Sequence, residues 1–175
     1  MVQKSIKGSR KFYCIIIFIQ LFFLHAFLDP FKMVDLPGYI DTFEKISANS
    51  LTYSLSVGYV GVKLEMGWII FCKLLSYVSD NYHILLIATS LIIVGSYCRT
   101  IYKYSPIVWL SAFVYVCTLY CQSLYVLRQH MAMAVCLFSI SFIVKHQWLK
   151  SIFLYLLAIS LHKTALIFGL VFILY

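Results

Sequence analysis

The chain has 175 residues, of which 63% are apolar and only 11% are charged, and its mean hydropathy is +0.93. A soluble domain could not cover this much apolar side chain with polar surface, so the composition excludes a soluble enzyme and indicates an integral membrane protein. The net charge of +8 does not indicate nucleic-acid binding, because the basic residues fall mostly in short loops between apolar runs, where they set membrane orientation.

The apolar runs have helical length and are seldom interrupted by Gly, Pro or Asn, whereas a barrel would alternate over short segments. We therefore predict an all-α, polytopic transmembrane protein that forms a single membrane domain over residues 1–175. The six cysteines include no CxxC pair and lie mostly inside apolar runs, and the acids are not clustered as magnesium ligands would be. Neither a metal, a cofactor nor a disulfide framework is expected.

The first part of the chain predicts one anchor and one long loop. Basic residues precede an apolar run at 12–28, which is typical of an uncleaved anchor with its N-terminus in the cytoplasm. Residues 29–66 hold all but one of the acids together with several Pro and Gly, so they predict an extracytoplasmic loop, with a short helix near 40–47. The run at 67–79 is too short to cross a membrane comfortably and predicts an interfacial or re-entrant helix.

The second part predicts a series of spans joined by basic loops. The runs at 82–98 and 106–126 are long enough to cross, and Pro106 suits the first turn of the second one. Runs at 127–144, 149–161 and 164–175 follow. The last of them predicts the start of a further span that is cut off by the end of the sequence.

Orientation follows from the basic loops. If the run at 67–79 does not cross, the N-terminal basic cluster and the loops at 99–103 and 145–150 all lie in the cytoplasm, as short basic loops tend to do. If it crosses, the two later loops lie outside, against that tendency. We therefore prefer the first arrangement, which places four polar residues from separate parts of the chain near the outer face: Asp35, Glu65, Arg128 and His162.

The candidate site residues are strong polar groups at the outer ends of apolar runs. Arg128 with Gln129 offers planar donors for a phosphate or carboxylate and an amide that could orient a ligand oxygen. The alternatives are that Arg128 reaches the lipid headgroups and that His162 is a satisfied interfacial histidine. Small residues continue the Arg128 face at helical spacing, which predicts close helix packing and an arginine that faces protein: Ala132, Cys136 and Ser139.

Four motifs follow one another in an order that resembles a known family. They are Asp35-x3-Tyr39, Glu65-x-Gly67, Arg128-Gln129-x2-Ala132-Met133-Ala134 and, after a basic turn, Leu157-Ala-x2-Leu-His162-Lys-Thr-Ala165. Together they are similar to the EpsG family of Wzy-like polysaccharide polymerases, from about Asp35 to Tyr175. The most specific parts are Arg128-Gln129 and His162. Members of that family are considerably longer, so the chain is expected to correspond to an N-terminal portion.

The resemblance implies glycosyl transfer at the outer face of a bacterial cytoplasmic membrane. Oligosaccharide repeat units carried on undecaprenyl diphosphate would be joined there into exopolysaccharide, capsule or O-antigen. Such a reaction needs a cation for the departing diphosphate and a base for the attacking hydroxyl.

On this hypothesis Arg128 binds the diphosphate, Gln129 orients the site, and Glu65 or His162 is the base. Further substrate contacts are assigned to Asp35 and Tyr39, which would bind sugar, and to Lys163. The expected partners are the lipid-linked oligosaccharide, the bilayer, and a flippase and a chain-length regulator of the same pathway.

Two other functions remain open from the sequence. A transporter of polysaccharide or lipid-linked sugar would need polar groups near the bilayer midplane, whereas the runs at 12–28, 82–98 and 106–126 contain no Asp, Glu, Lys or Arg. A non-catalytic membrane subunit of an envelope polysaccharide complex would tolerate substitution of Arg128 and His162 but not of the small-residue strip.

Overall fold

The structure is a computed structural model that describes residues 2–57 and 64–174. All regular secondary structure in these residues is helical, as the composition predicts. Residues 58–63 of the predicted outer loop, and Tyr175 of the last predicted helix, lie outside the described residues. The α-helices are α1 (Val2–Ala26), α2 (Leu36–Ala48), α3 (Leu51–Val57), α4 (Met66–Ser76), α5 (His83–Tyr104), α6 (Val108–Tyr115), α7 (Cys121–Ser123), α8 (Leu127–Ile143), α9 (Trp148–Leu161) and α10 (Gly169–Leu174).

Two stretches in the described part of the chain are long and apolar enough to cross a membrane, Gly8–Ala26 in α1 and the whole of α5. The two helices pack together in antiparallel fashion. The guanidinium of Arg10, near the start of α1, donates to the carbonyl oxygens of Tyr102 at 2.9 Å and Ser105 at 2.5 Å, at the end of α5. Because the last carbonyls of a helix have no partner within it, this contact both caps α5 and fixes its neighbour.

The predicted span at 106–126 is an interrupted helix. α6 leads into a π-helical segment, Val116–Tyr120, which continues into the short α7. Tyr120, at the end of the π-helical segment, donates its hydroxyl to the carbonyl oxygen of Leu21 in α1 at 2.8 Å. This bond joins the π-helical segment to the helix pair formed by α1 and α5.

The small residues of α8 pack closely against α9, as the sequence predicts. Ala132, Cys136 and Ser139 are all buried, and the Ser139 hydroxyl lies 2.6 Å from the Ser151 hydroxyl across the interface. Small side chains let two helix backbones approach each other, and hydroxyls then hydrogen-bond between them. The resulting pair carries Arg128 at the start of α8 and leads into His162 at the end of α9.

The segment between α1 and α4 is more helical than the sequence predicts. α2 begins at Leu36, four residues before the predicted short helix, and α3 was not predicted. The reason is that Pro37 occupies the first turn of α2, where a missing N–H costs nothing, so the Pro-Gly pair starts a helix instead of breaking one. α2 buries Phe43 and Ile46 completely.

α4 is short, as the run at 67–79 predicts, and it ends at Ser76. It buries Trp68 and Cys72 completely and packs against both α2 and α9. Lys73 lies inside this apolar helix because its ammonium donates to three carbonyls at the end of α2. Those acceptors are the oxygens of Ile46 at 3.3 Å, Ser47 at 3.0 Å and Asn49 at 2.9 Å.

The chain after His162 is not the continuous α-helix predicted at 164–175. It begins as a 3-10 helix, Lys163–Phe168, and becomes α10 only at Gly169. The hydroxyl of Tyr155 in α9 donates to the carbonyl oxygen of Leu166 at 3.1 Å. A Cβ atom on Gly169 would lie 2.5 Å from the same tyrosine hydroxyl, so a larger residue there would displace the Tyr155 side chain.

Candidate functional site

Glu65 is the centre of a charged cluster that joins three separate parts of the chain. Its carboxylate accepts a hydrogen bond from the Arg128 guanidinium at 2.8 Å through one oxygen and from His162 Nδ1 at 2.8 Å through the other. The backbone N–H of Lys163 lies 3.4 Å from the oxygen that His162 contacts. All three side chains are mostly shielded, with 16–17% of their surface exposed.

Gly67 explains how Glu65 reaches His162. Glu65 caps the start of α4, and α4 crosses the end of α9 so closely that a Cβ atom on Gly67 would lie 2.6 Å from the carbonyl oxygen of Ser160. Real Cβ atoms do not approach backbone oxygen that closely. In the Glu65-x-Gly67 motif, the glycine therefore allows the close contact between α4 and α9 that places the Glu65 carboxylate beside His162.

Arg128 lies at the start of α8 and faces protein. One terminal nitrogen binds Glu65, and the guanidinium carbon stands 5.8 Å from the ring centroid of Tyr39, a cation–π contact. The Tyr39 ring packs in turn against Trp68, with centroids 5.7 Å apart. The Nε of Arg128 is buried and has no hydrogen-bond partner among the described residues.

The partners of Glu65 stabilise its charged form. Burial by itself raises the pKa of the carboxyl, but hydrogen bonds outweigh it: they come from the residue's own backbone, from His162 and from the Lys163 N–H. With the added charge of Arg128, the pKa lies below the usual value for a glutamate. Glu65 is therefore an ionised partner for cations and a weak proton acceptor.

A polar cavity of about 360 Å³ opens beside Arg128. Two other residues from the predicted site line it, Asp35 and Tyr39. Because both come from the start of α2, the helix that begins earlier than predicted also forms the wall of this cavity. The lining is Val34, Asp35, Gly38, Tyr39, Thr42, Leu64 and Arg128.

Gln129 and Lys163 lie elsewhere. Gln129 does not line the cavity that Arg128 lines; it faces an apolar cavity of about 520 Å³ together with residues of α8 and the chain after His162. Lys163 is exposed, and its contact with Glu65 is through the backbone. The structure therefore brings together Glu65, Arg128 and His162, with Asp35 and Tyr39 beside them.

A second polar cluster, which the sequence analysis did not identify, is buried between α1, α5 and α7. The His25 ring donates from Nε2 to the carbonyl oxygen of Ser123 at 3.0 Å, and its Nδ1 lies 2.7 Å from the Ser90 hydroxyl. His130 is also buried, and its Nδ1 has no partner among the described residues. The feature of the sequence that could have indicated this cluster is a histidine near the end of an apolar run, in His25-Ala-Phe-Leu-Asp29.

In the described ranges, no group of three or more His, Cys, Asp and Glu side chains is placed to hold a metal ion. The donors that do converge, a guanidinium and an imidazole around one carboxylate, suit an anionic ligand.

The sequence model of the EpsG family matches residues 11–175, nearly the whole chain. No curated protein and no solved structure matches the chain significantly. The match begins within α1 and covers every residue of the charged cluster. It agrees with the apolar helices in indicating a membrane protein of polysaccharide biosynthesis. The chain belongs to the EpsG family, a family of Wzy-like polymerases.

Proposed function

We propose that the protein joins undecaprenyl-diphosphate-linked oligosaccharide repeat units at the outer face of a bacterial cytoplasmic membrane, for exopolysaccharide, capsule or O-antigen synthesis. The observation that carries this proposal is the charged cluster of Glu65, Arg128 and His162 beside a polar cavity. The cluster supplies the two things that the reaction needs, a cation for the leaving diphosphate and a base for the attacking hydroxyl.

Arg128 binds the diphosphate of the donor. A guanidinium presents several N–H groups in one plane, and only one terminal nitrogen is engaged by Glu65, while the buried Nε has no partner in the described part of the chain. As the bond from the anomeric carbon to the diphosphate oxygen breaks, negative charge grows on that oxygen. A fixed cation beside it stabilises the transition state more than the ground state.

His162 is the base. Its Nδ1–H donates to Glu65, which fixes the neutral tautomer whose Nε2 lone pair can accept a proton. The hydroxyl oxygen of the acceptor sugar forms a bond to the anomeric carbon, its proton passes to Nε2, and the diphosphate leaves with the bonding electrons. Glu65 acts as the positioning residue, since its lowered pKa makes it a poor base.

Asp35 and Tyr39 bind sugar in the polar cavity. A carboxylate accepts hydrogen bonds from sugar hydroxyls, and an aromatic ring can pack against the apolar C–H face of a pyranose. The cavity has about 360 Å³, which is in the range of sites for small ligands, roughly 300–1,000 Å³. This assignment puts the saccharide beside Arg128, which also lines the cavity.

The location at the outer face rests on the basic loops at 99–103 and 145–150, which favour the cytoplasm. A repeat unit used there has to cross the membrane first, and polymer length has to be limited afterwards. The proposal therefore includes a flippase and a chain-length regulator as partners in the pathway.

Arg128→Ala tests the proposal in the complete gene, with polymer length measured on gels and protein level measured by immunoblot. The matched control is Arg99→Ala, because Arg99 also hydrogen-bonds a side chain, the Ser141 hydroxyl, and also stacks on an aromatic ring, that of Phe138, but is exposed and lies near the end of α5. We expect polymer to fall at least about 100-fold for Arg128→Ala at normal protein level. Long polymer from Arg128→Ala would overturn the diphosphate assignment.

A further inference from the structure

An apolar cavity lies beside Gln129, and the proposed reaction does not use it. Its volume is about 520 Å³, and it lies between α5, the π-helical segment, α8 and the chain after His162. Only Gln129 and Thr164 bring strongly polar side chains to its lining, apart from the ring hydroxyl of Tyr97. Its apolar lining includes Leu119, Met133, Leu137 and Phe168.

The polar end of this cavity adjoins the charged cluster. Gln129 directly follows Arg128, and Thr164 is the second residue after His162. Successive residues on a helix point about 100° apart, so Arg128 and Gln129 open onto different faces of the same helical turn. The polar cavity, lined by Arg128, and the apolar cavity, lined by Gln129, therefore lie on different sides of the first turn of α8.

From that turn the apolar cavity follows α8 away from the cluster. Gln129, Met133 and Leu137 are spaced four residues apart and form one stripe along the helix. At 1.5 Å per residue, the stripe extends about 12 Å from the turn that holds Arg128. A ligand with its anionic group at Arg128 could thus lay an apolar chain along α8.

We propose that this apolar cavity binds the isoprenoid chain of the lipid-linked substrate, over the units nearest the diphosphate. The inference rests on the proposed function and extends it by naming where the lipid part lies. The substrate has a saccharide, a diphosphate and an apolar tail in that order, and the structure offers a polar cavity, an arginine and an apolar cavity in the same order. The tail already lies in the apolar bilayer, so the cavity would bind it through close packing against the lining side chains.

A second apolar cavity provides the matched control. It has about 550 Å³ and lies between α9 and the chain from Leu166 onward, with Ile152, Leu156 and Leu170 in its lining. It contains no member of the charged cluster and no residue next to one in sequence. Size and apolar character alone would make both cavities bind a lipid tail equally well, whereas the proposal assigns it only to the first.

The experiment uses the full chain purified in detergent and compares Met133→Trp with Leu156→Trp. Binding of undecaprenyl diphosphate, of dimethylallyl diphosphate and of phosphatidylglycerol is measured by native mass spectrometry. Met133 and Leu156 both have partly open side chains, so each can be enlarged with little disturbance of the fold. Thermal unfolding verifies that both variants are folded.

We expect Met133→Trp to weaken undecaprenyl diphosphate binding at least tenfold and to leave dimethylallyl diphosphate binding unchanged. Leu156→Trp should alter neither. Equal binding of undecaprenyl diphosphate by the wild type and Met133→Trp would overturn the proposal, and so would phosphatidylglycerol competing as strongly as the long-chain diphosphate. If Met133→Trp does not fold, Leu137→Ala tests the same cavity, with a severalfold loss of long-chain binding expected and an unchanged affinity contradicting it.

These outcomes separate this inference from the proposed function. Long-chain binding that depends on Met133, in a protein that forms no polymer from lipid-linked repeat units, would support the lipid site and refute the polymerase. Polymer formation by a protein whose lipid binding does not depend on Met133 would support the polymerase and refute the lipid site.

Discussion

His162 and His25 both lie at the end of a long helix, yet their surroundings differ in kind. His162 pairs with the Glu65 carboxylate, is partly open, and has an arginine on the other side of its partner. His25 is 2% exposed and contacts only uncharged groups, the Ser90 hydroxyl and the Ser123 carbonyl. The first arrangement suits the proton transfer proposed for His162, and the second joins three helices.

The hydrogen-bond partner of a histidine decides its role more than its burial does. A carboxylate on Nδ1 both orients the ring and stabilises the imidazolium that forms when Nε2 takes a proton. A hydroxyl and a carbonyl satisfy the neutral ring and offer no compensation for charge. The two sites should therefore respond differently to substitution, to helix displacement and to acid.

The sharpest test exchanges each histidine for alanine. His162→Ala removes the base, so polymer formed per folded protein should fall about 100-fold or more while the unfolding temperature changes little. His25→Ala leaves a buried carbonyl and hydroxyl without their partner, which should cost about 1–3 kcal/mol of stability and preserve activity per folded protein. Thermal unfolding and an in vitro polymerisation assay measure both quantities. If His162 had only a structural role, His162→Ala would instead behave like His25→Ala: stability would fall and activity per folded protein would be preserved.

The next test displaces α4 without touching either histidine. Gly67→Ala puts a methyl group where the carbonyl oxygen of Ser160 lies 2.6 Å away, so α4 must move, at a cost of about 1–3 kcal/mol. Activity should fall with it, because Glu65 moves away from His162.

Gly38→Ala is the control for that substitution. It lies within α2 and has nothing within 4 Å of the new Cβ, so we expect unchanged or slightly higher stability. Equal unfolding temperatures for the Gly67 and Gly38 variants would contradict the close contact.

Acid should weaken the charged cluster through its carboxylate. The folded-state pKa of Glu65 lies below its ordinary value of about 4.3, so its hydrogen bonds and its ion pair with Arg128 stabilise the protein above that pH. This contribution is lost as the pH falls through the folded-state pKa.

The unfolding temperature of the wild type should therefore exceed that of Glu65→Gln most at pH 7, and the difference should narrow in acid below about pH 4. Glu44→Gln, at an exposed position of α2, should match the wild type throughout. A difference for Glu65→Gln that stays constant down to pH 3 would refute the ion-pair account.

The smallest expected effect concerns the ring that covers Arg128. Tyr39→Ala removes the cation–π contact at 5.8 Å and should raise KM for the lipid-linked substrate about two- to fivefold. Tyr39→Phe keeps the ring, so a KM near the wild-type value would identify the ring as the important part. A KM that rises as much with Tyr39→Phe as with Tyr39→Ala would instead assign the role to the hydroxyl.

The sequence predicted features that depend on local pattern. Helical class follows from the length of the apolar runs, and the packing of α8 against α9 follows from the spacing of Ala132, Cys136 and Ser139. The candidate residues of the charged cluster also stood out, because charged groups are rare in so apolar a chain. What the sequence could not give was which of them share a hydrogen bond, since Glu65 and His162 are far apart in the chain.

Other features depend on tertiary contacts that leave little trace in the sequence. The close approach at Gly67 and the buried site of His25 are set by how helices cross, and neither has a spacing rule. Gln129 follows Arg128, yet the helical rotation between them places the two side chains in different cavities. Proximity in sequence therefore grouped two residues that the fold separates.

The ammonium of Lys73 makes α2 and α4 a single mechanical unit, because it holds three carbonyls at the end of α2 from within α4. Asp35 and Tyr39 at the start of α2, and Glu65 at the start of α4, must then travel together. Movement of this unit away from α8 would separate Glu65 from Arg128, and a distance probe spanning these two residues would detect it.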